Sequence, residues 1–172
     1  TSRLVGSEMC IRDRYNLQDA FPTDPTQWAD VDGDGFGDNS SGNDADECPT
    51  VAGTSTVDRL GCVDSDGDGY SDPDPNTNWL PAQGADAFPN EPTQWADQDI
   101  DSYGDNPAGV RADDCPTVRG SSTIDRLGCV DNDGDGYSDA SGDWTVLQGA
   151  DACPLIYGFS TADRIGCLDT DE

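Results

Sequence analysis

The sequence contains neither lysine nor histidine. Eight arginines are its only basic side chains, against 36 acidic ones, and the formal net charge is −28. Without a basic face there is nothing to hold a phosphate backbone, so nucleic acid is not an expected partner. Without histidine the chain lacks the commonest general base and the commonest zinc ligand. No nucleophile–base pair stands out either, and the chain does not read as an enzyme. Hydrophobic residues make up only 33%, against about 45–50% in ordinary globular domains. No apolar run is long enough to span a membrane, and no secretory signal is visible at the start. Low hydrophobicity with high charge is the signature of disorder. Two features oppose that reading: there are seven cysteines, and the acids are evenly spaced instead of massed in blocks.

The even spacing is that of a repeat. DAFPTDPTQWADVDGDGFGDN (19–39) recurs as DAFPNEPTQWADQDIDSYGDN (86–106), and CPTVAGTSTVDRLGCVDSDGDGYSD (48–72) recurs as CPTVRGSSTIDRLGCVDNDGDGYSD (115–139). Both pairs are offset by 67 residues, and a third copy starts at DACPLIYGFSTADRIGCLDTD (151–171). Asp-x-Phe/Cys-Pro opens each half-repeat, at Asp19, Asp46, Asp86, Asp113 and Asp151. Short units are therefore expected at 19–45 and 86–112, long units at 46–85 and 113–150, and an incomplete long unit at 151–172. Both ends read as cut from a longer array. Residues 4–14, LVGSEMCIRDR, resemble the translation of a transposase-type sequencing adapter, and 1–18 are set aside as an unassigned leader. Setting Cys10 aside leaves six cysteines.

Four loops carry Asp at positions 1, 3, 5 and 9 and an aromatic residue at 7. Loop one is Asp30, Asp32, Asp34 and Asp38 with Phe36; loop two is Asp64, Asp66, Asp68 and Asp72 with Tyr70. Loop three is Asp97, Asp99, Asp101 and Asp105 with Tyr103; loop four is Asp131, Asp133, Asp135 and Asp139 with Tyr137. A fifth begins at Asp169 and Asp171. Ca²⁺ takes about six to eight hard oxygens, and a loop of this kind presents them from positions 1, 3, 5, 7 and 9, the seventh through its backbone carbonyl. Gly35, Gly69 and Gly136 give the sharp turn needed at position 6, where loop three has Ser102 and, two residues earlier, Ile100 in place of Gly. Loop three is therefore expected to be strained or weaker. An EF-hand would place Glu at position 12, but those positions hold Ser41, Pro75, Ala108 and Gly142, and no amphipathic helices flank them. The missing ligand is expected from the Asp that opens the next unit: Asp46, Asp86, Asp113 and Asp151 for loops one to four.

Asp-x-Asp-x-Asp-Gly-x-x-Asp followed by Asp-x-Cys-Pro resembles the thrombospondin type 3 repeats, over residues 19–172. The resemblance implies an irregular fold with little secondary structure, in which chain wraps a line of bound Ca²⁺ ions and is stapled by disulfides into a rod. This sequence departs from the family by inserting residues between position 9 and Asp-x-Cys-Pro, and by placing Phe21 and Phe88 where the family has Cys.

The cysteines fall into pairs 14 apart, Cys48/Cys62, Cys115/Cys129 and Cys153/Cys167. Local disulfides in an oxidising compartment fit them better than thiolate metal sites, although six cysteines allow fifteen pairings. Between each pair, Ser55, Ser122 or Ser160 precedes Asp58, Asp125 or Asp163 by three residues. This resembles a capping box, and Gly61, Gly128 and Gly166 suit a left-handed C-terminal position. One helical turn is predicted there, with Leu60, Leu127 or Ile165 packed on the disulfide. Arg59, Arg126 and Arg164 are expected to clamp a neighbouring carboxylate or carbonyl. Asp24-Pro25 and Glu91-Pro92 predict another short helical start. Trp28, Trp79, Trp95 and Trp144 are expected to form small satellite cores instead of sugar platforms. Asn39-Ser40-Ser41 is the N-glycosylation sequon.

The expected function is that of a non-enzymatic, extracellular or cell-surface protein that Ca²⁺ stiffens into a stalk, spacer or filament. Its partners would be calcium and neighbouring repeats or further copies of itself. The alternatives are a calcium-dependent adhesin or module that binds protein or glycan, and a linker within a secreted enzyme.

Overall fold

The structure, a computed structural model, describes residues 19–169. The adapter-like segment, the rest of 1–18 and Asp171 lie outside the described residues. The chain divides into two compact units with the boundary between Asn78 and Trp79.

Asp, Gly, Pro, Asn and Ser favour turns through local side-chain hydrogen bonds and unusual φ values, and the fold follows that chemistry. Among the described residues the regular elements are two single 3₁₀ turns, Pro81–Gln83 and Val146–Gln148. Isolated bridges join Gly37 to Ala45, Gly104 to Ala112 and Ser141 to Trp144.

Low secondary structure agrees with expectation, but the helical turns do not fall where the sequence placed them. Between Cys48 and Cys62 the Ser55 hydroxyl donates to Arg59 O and accepts the Cys62 N–H at 3.2 Å. Asp58 does not reach back to cap a helix. Its carboxylate accepts the backbone N–H and the hydroxyl of Ser71, both within 2.9 Å. Asp125 holds Ser138 in the same way, whereas in the third copy Ser160 Oγ does donate to Asp163 Oδ1, at 3.0 Å, and no helix forms there either. With cap and partner both bonded elsewhere, the segment closes as a turn through Gly61, whose φ is +73°. At Pro25 and Pro92 the chain makes single β-turns: Gln27 N donates to Asp24 O and Gln94 N to Glu91 O, with Pro at the second turn position, which its fixed φ suits.

All three disulfides are the local ones, Cys48–Cys62, Cys115–Cys129 and Cys153–Cys167, with Cα atoms 5.1 Å apart. Each closes a loop worth about 3 kcal/mol of chain entropy, and three such bonds fit an oxidising environment. Arg59 and Arg126 donate to the carbonyls of Glu47 and Asp114, as expected of clamps; Arg59 also reaches Cys48 Sγ, and Arg164 makes the matching contact to Cys153 Sγ. No helix among the described residues is long and apolar enough to cross a membrane.

The interior is polar. Among the described residues the buried apolar ones are Cys62, Ala85, Tyr103, Cys129, Ala150 and Cys167, while Gln, Ser and Asp side chains hold more of the interior. Gln94 shows how. Its Nε2 donates to Asn106 O and Val110 O, and its Oε1 accepts the Asn106 N–H. Gln27 makes the matching bonds to Asn39 and Asn43. Each buried amide thus folds the insertion after position 9 onto its own unit. This arrangement displaces Trp28, which is 57% exposed and not the satellite core expected of it; its neighbour Gln27 has taken the interior place. Trp79 and Trp144 are half-buried, with ring edges 3.3 Å from where a Cβ would project at Gly84 and Gly149, and the Arg126 guanidinium lies over the Trp144 ring at 5.5 Å. The Trp144 N–H donates to Ser138 Oγ at 2.9 Å.

Candidate metal sites

Each acidic loop is folded by its own carboxylates. The Asp at position 1 accepts the N–H groups of positions 4 and 6: Asp30 takes Gly33 and Gly35, Asp64 takes Gly67 and Gly69, and Asp131 takes Gly134 and Gly136. Asp97 takes Ile100 and Ser102. The Asp at position 5 accepts the N–H of position 7 at 2.9–3.0 Å in all four loops. The N–H of position 9 closes the base by donating to the residue before position 1, Ala29, Val63, Ala96 or Val130. The carboxylates of Asp38, Asp72 and Asp139 cap the N–H of position 2, and Asp105 does the same for Gln98.

The result is convergence. In every loop an oxygen from each of positions 1, 3 and 5 lies within 4.8 Å of the other two. Oxygens about 2.3–2.6 Å from a common cation fall within that separation. Two unit charges at such a distance repel by about 1 kcal/mol even in water. The carbonyls of Phe36, Tyr103 and Tyr137 accept no hydrogen bond among the described residues.

The Asp that opens the next unit joins three of these loops. Asp46 N donates to Gly37 O, Asp113 N to Gly104 O and Asp151 N to Ser138 O. A Cβ at Gly61 would collide with Asp46 Oδ1 and lie 3.2 Å from Asp34 Oδ2, so both carboxylates crowd the same face of this glycine and leave no room for a methyl group. Gly128 stands in the same relation to Asp113 and Asp101, and Gly166 to Asp151 and Asp135. Asp86 is fully buried, and its Oδ1 accepts the Phe88 N–H. It belongs to the second compact unit, whereas loop two belongs to the first. Asp169 is exposed. The Asn39 amide nitrogen, which a glycan would have to join, donates to Thr26 O at 2.8 Å.

Whether a cation fits can be judged from the donors these oxygens lack. Buried Oδ2 atoms of Asp32, Asp66, Asp68 and Asp133 and Oδ1 of Asp105 meet no hydrogen-bond donor, and neither oxygen of Asp99 makes a well-formed hydrogen bond, although the Val118 N–H lies beside it. The same holds for Oδ2 of Asp46, Asp113 and Asp151, residues no more than 6% exposed. Buried carboxylate oxygens are ordinarily paired or metal-bound. These are hard oxygens, convergent and without donors, and they fit a hard divalent cation.

The protonation equilibria carry the same strain. Burial raises the carboxyl pKa of Asp46, Asp68, Asp99 and Asp105. It raises those of Asp113 and Asp151 to about 6, with the neighbouring loop carboxylates adding to the effect. A carboxyl that holds its proton more tightly folded than unfolded stabilises the fold only while protonated. The metal-free protein should therefore lose stability as pH rises from about 4 to about 6. Cation binding needs the ionised form, so the dependence should reverse in millimolar calcium. Tryptophan-monitored melts check this: with chelator the transition at pH 4.5 should weaken and be lost by pH 7.5, whereas with calcium Tm should rise over the same range. A Tm that moves in the same direction under both conditions would contradict it.

Two contributors escaped the sequence reading. Gly53, Gly120 and Gly158 donate their N–H groups to the position-5 carboxylates Asp34, Asp101 and Asp135 across 19 or 23 residues, tying each disulfide loop to the acidic loop before it. Gln27 and Gln94 are the others. Their signal was recurrence at the same register in each copy. Neither a protein-family model nor a curated protein sequence matches this chain, so the thrombospondin-type resemblance rests on the loops themselves.

Proposed function

We propose that this chain is a non-catalytic, extracellular calcium-binding protein whose repeated loops stiffen it into a stalk, spacer or filament. The observation that carries the reading is the set of buried carboxylate oxygens without donors, one or more in every loop. An all-oxygen donor set with no imidazole or thiolate suits Ca²⁺ over zinc or copper. A bound calcium ion would supply the positive charge that pairs these oxygens. Asp46, Asp113 and Asp151 would then make closure of a loop and docking of the next unit one event. With so small an apolar interior, the carboxylates hold the fold only when they are paired.

Small-angle scattering on the oxidised chain tests this. Excess chelator should change the maximum dimension and abolish the compact cross-section. Calcium should restore both, and equal magnesium should do so less completely, because magnesium demands a tighter octahedral shell. A profile indifferent to chelator would contradict the proposal. A second reading, an adhesive module, draws on the third disulfide loop. There Leu155, Ile156, Tyr157 and Phe159 are all more than half exposed, at positions held by Thr50, Val51, Ala52 and Thr54 in the first copy.

A further inference from the structure

We propose that loop three (97–105) is the low-affinity, regulated cation site of this chain, and that Ile100 and Ser102 set its affinity. The inference rests on the calcium reading above and adds to it a difference between loops. Positions 4 and 6 take positive φ in every loop, and in loops one, two and four both are glycine, with φ between +79° and +99°. In loop three they are Ile100 at +65° and Ser102 at +78°. A β-branched residue in that region is an outlier, because its Cβ crowds the backbone carbonyl. The conformation is imposed by the Asp97 carboxylate, which accepts both N–H groups, at 2.7 and 2.9 Å. Ile100 gains little packing in return, being 68% exposed.

Loop three also holds more unpaired charge. Three of its own buried oxygens lack a well-formed hydrogen bond, both of Asp99, beside which the Val118 N–H lies, and one of Asp105; loop two leaves two, on Asp66 and Asp68, and loops one and four leave one each, on Asp32 and Asp133. Emptied of its cation, loop three has more repulsion to relieve and two strained residues free to return to negative φ. Refilling must restore that strain, which weakens binding by at least about 10-fold relative to loop four. Asp113 is 6% exposed, leaves its buried Oδ2 without a donor, and brings its Oδ1 beside Asp101 Oδ2 at Gly128. It anchors 113–150 to 86–112 through its bond to Gly104 O. As calcium falls, this joint loosens first, while loop four still holds Asp151.

The test is a calcium titration of the full oxidised chain followed by amide NMR, which reads each loop separately. In the wild type, the amides of 100–105 should reach their midpoint at about 10-fold or more higher calcium than those of 134–139. Ile100→Gly with Ser102→Gly should close most of that gap. The reciprocal pair, Gly134→Ile with Gly136→Ser, should weaken loop four by a similar factor. Equal midpoints in the wild type, or a gap unchanged by both double variants, would overturn the inference while leaving calcium binding intact. No calcium response in any loop would overturn it together with the reading on which it rests.

Discussion

Excess chelator at pH 7.5 is expected to abolish the cooperative melting transition of the oxidised protein, and calcium to restore it. A ligand that binds only the folded state stabilises it by about 2.7 kcal/mol per site at a hundred times its dissociation constant. Four independent loops would supply roughly 10 kcal/mol, as much as the whole stability of an ordinary domain, about 5–15 kcal/mol. Little else here can replace that. Among the described residues three of the six buried apolar ones are half-cystines, so the disulfides stand, and bound ions would stand, where a hydrophobic core would. The disulfides alone, at about 3 kcal/mol each in the chain-entropy model, restrict the unfolded chain but leave the like charges of each loop in contact. Near-ultraviolet circular dichroism and Trp144 fluorescence follow the change, because the Trp144 indole is fixed by its bond to Ser138, immediately before Asp139 of loop four. A transition that survives chelation within a few degrees would refute this expectation.

The second large effect concerns one methyl group. Gly128→Ala is expected to impair the protein far more than Gly134→Ala, although both glycines are left-handed, with φ of +74° and +79°. Each substitution costs roughly 1–2 kcal/mol for the conformation alone. At Gly134 the new Cβ meets nothing within 4 Å. At Gly128 it collides with Asp113 Oδ1 and crowds Asp101 Oδ2 at 3.1 Å. It therefore pushes apart the two carboxylates that loop three and the next unit bring together. Calcium affinity at loop three should fall by roughly 10- to 100-fold beyond the effect of Gly134→Ala, a difference of about 1.4–2.8 kcal/mol. Melting in saturating calcium and titration of the 100–105 amides measure both parts. Equal losses in the two variants would mean that Asp113 does not close the site.

Much of this could be read from the residues. Repetition exposed the loops, because only a constrained backbone keeps Gly at position 6 and an aromatic at position 7. The spacing of 14 pointed to the disulfides. The strain at Ile100 and Ser102 followed from two glycines missing in one copy. What escaped was the destination of small polar side chains. Ser55 and Asp58 satisfy a capping-box pattern, but Asp58 finds Ser71, 13 residues on, and the helix is not formed. Gln27 and Trp28 are neighbours, and hydrophobicity favours burying the indole. The carbonyls of Asn39 and Asn43 need donors, so the amide goes inside and Trp28 stays out. Local patterns name a residue's capabilities; long-range hydrogen-bond demand decides which is used.

The central claim is that these carboxylates are ligands. It is tested most directly by counting: dialyse the oxidised protein to equilibrium against millimolar calcium and measure the calcium per chain in excess of the dialysate by elemental analysis. The account predicts at least four ions per chain, one for each complete loop, with fewer when Asp32, Asp66, Asp99 and Asp133 are changed to Asn. A chain that retains its fold with no bound calcium would contradict it.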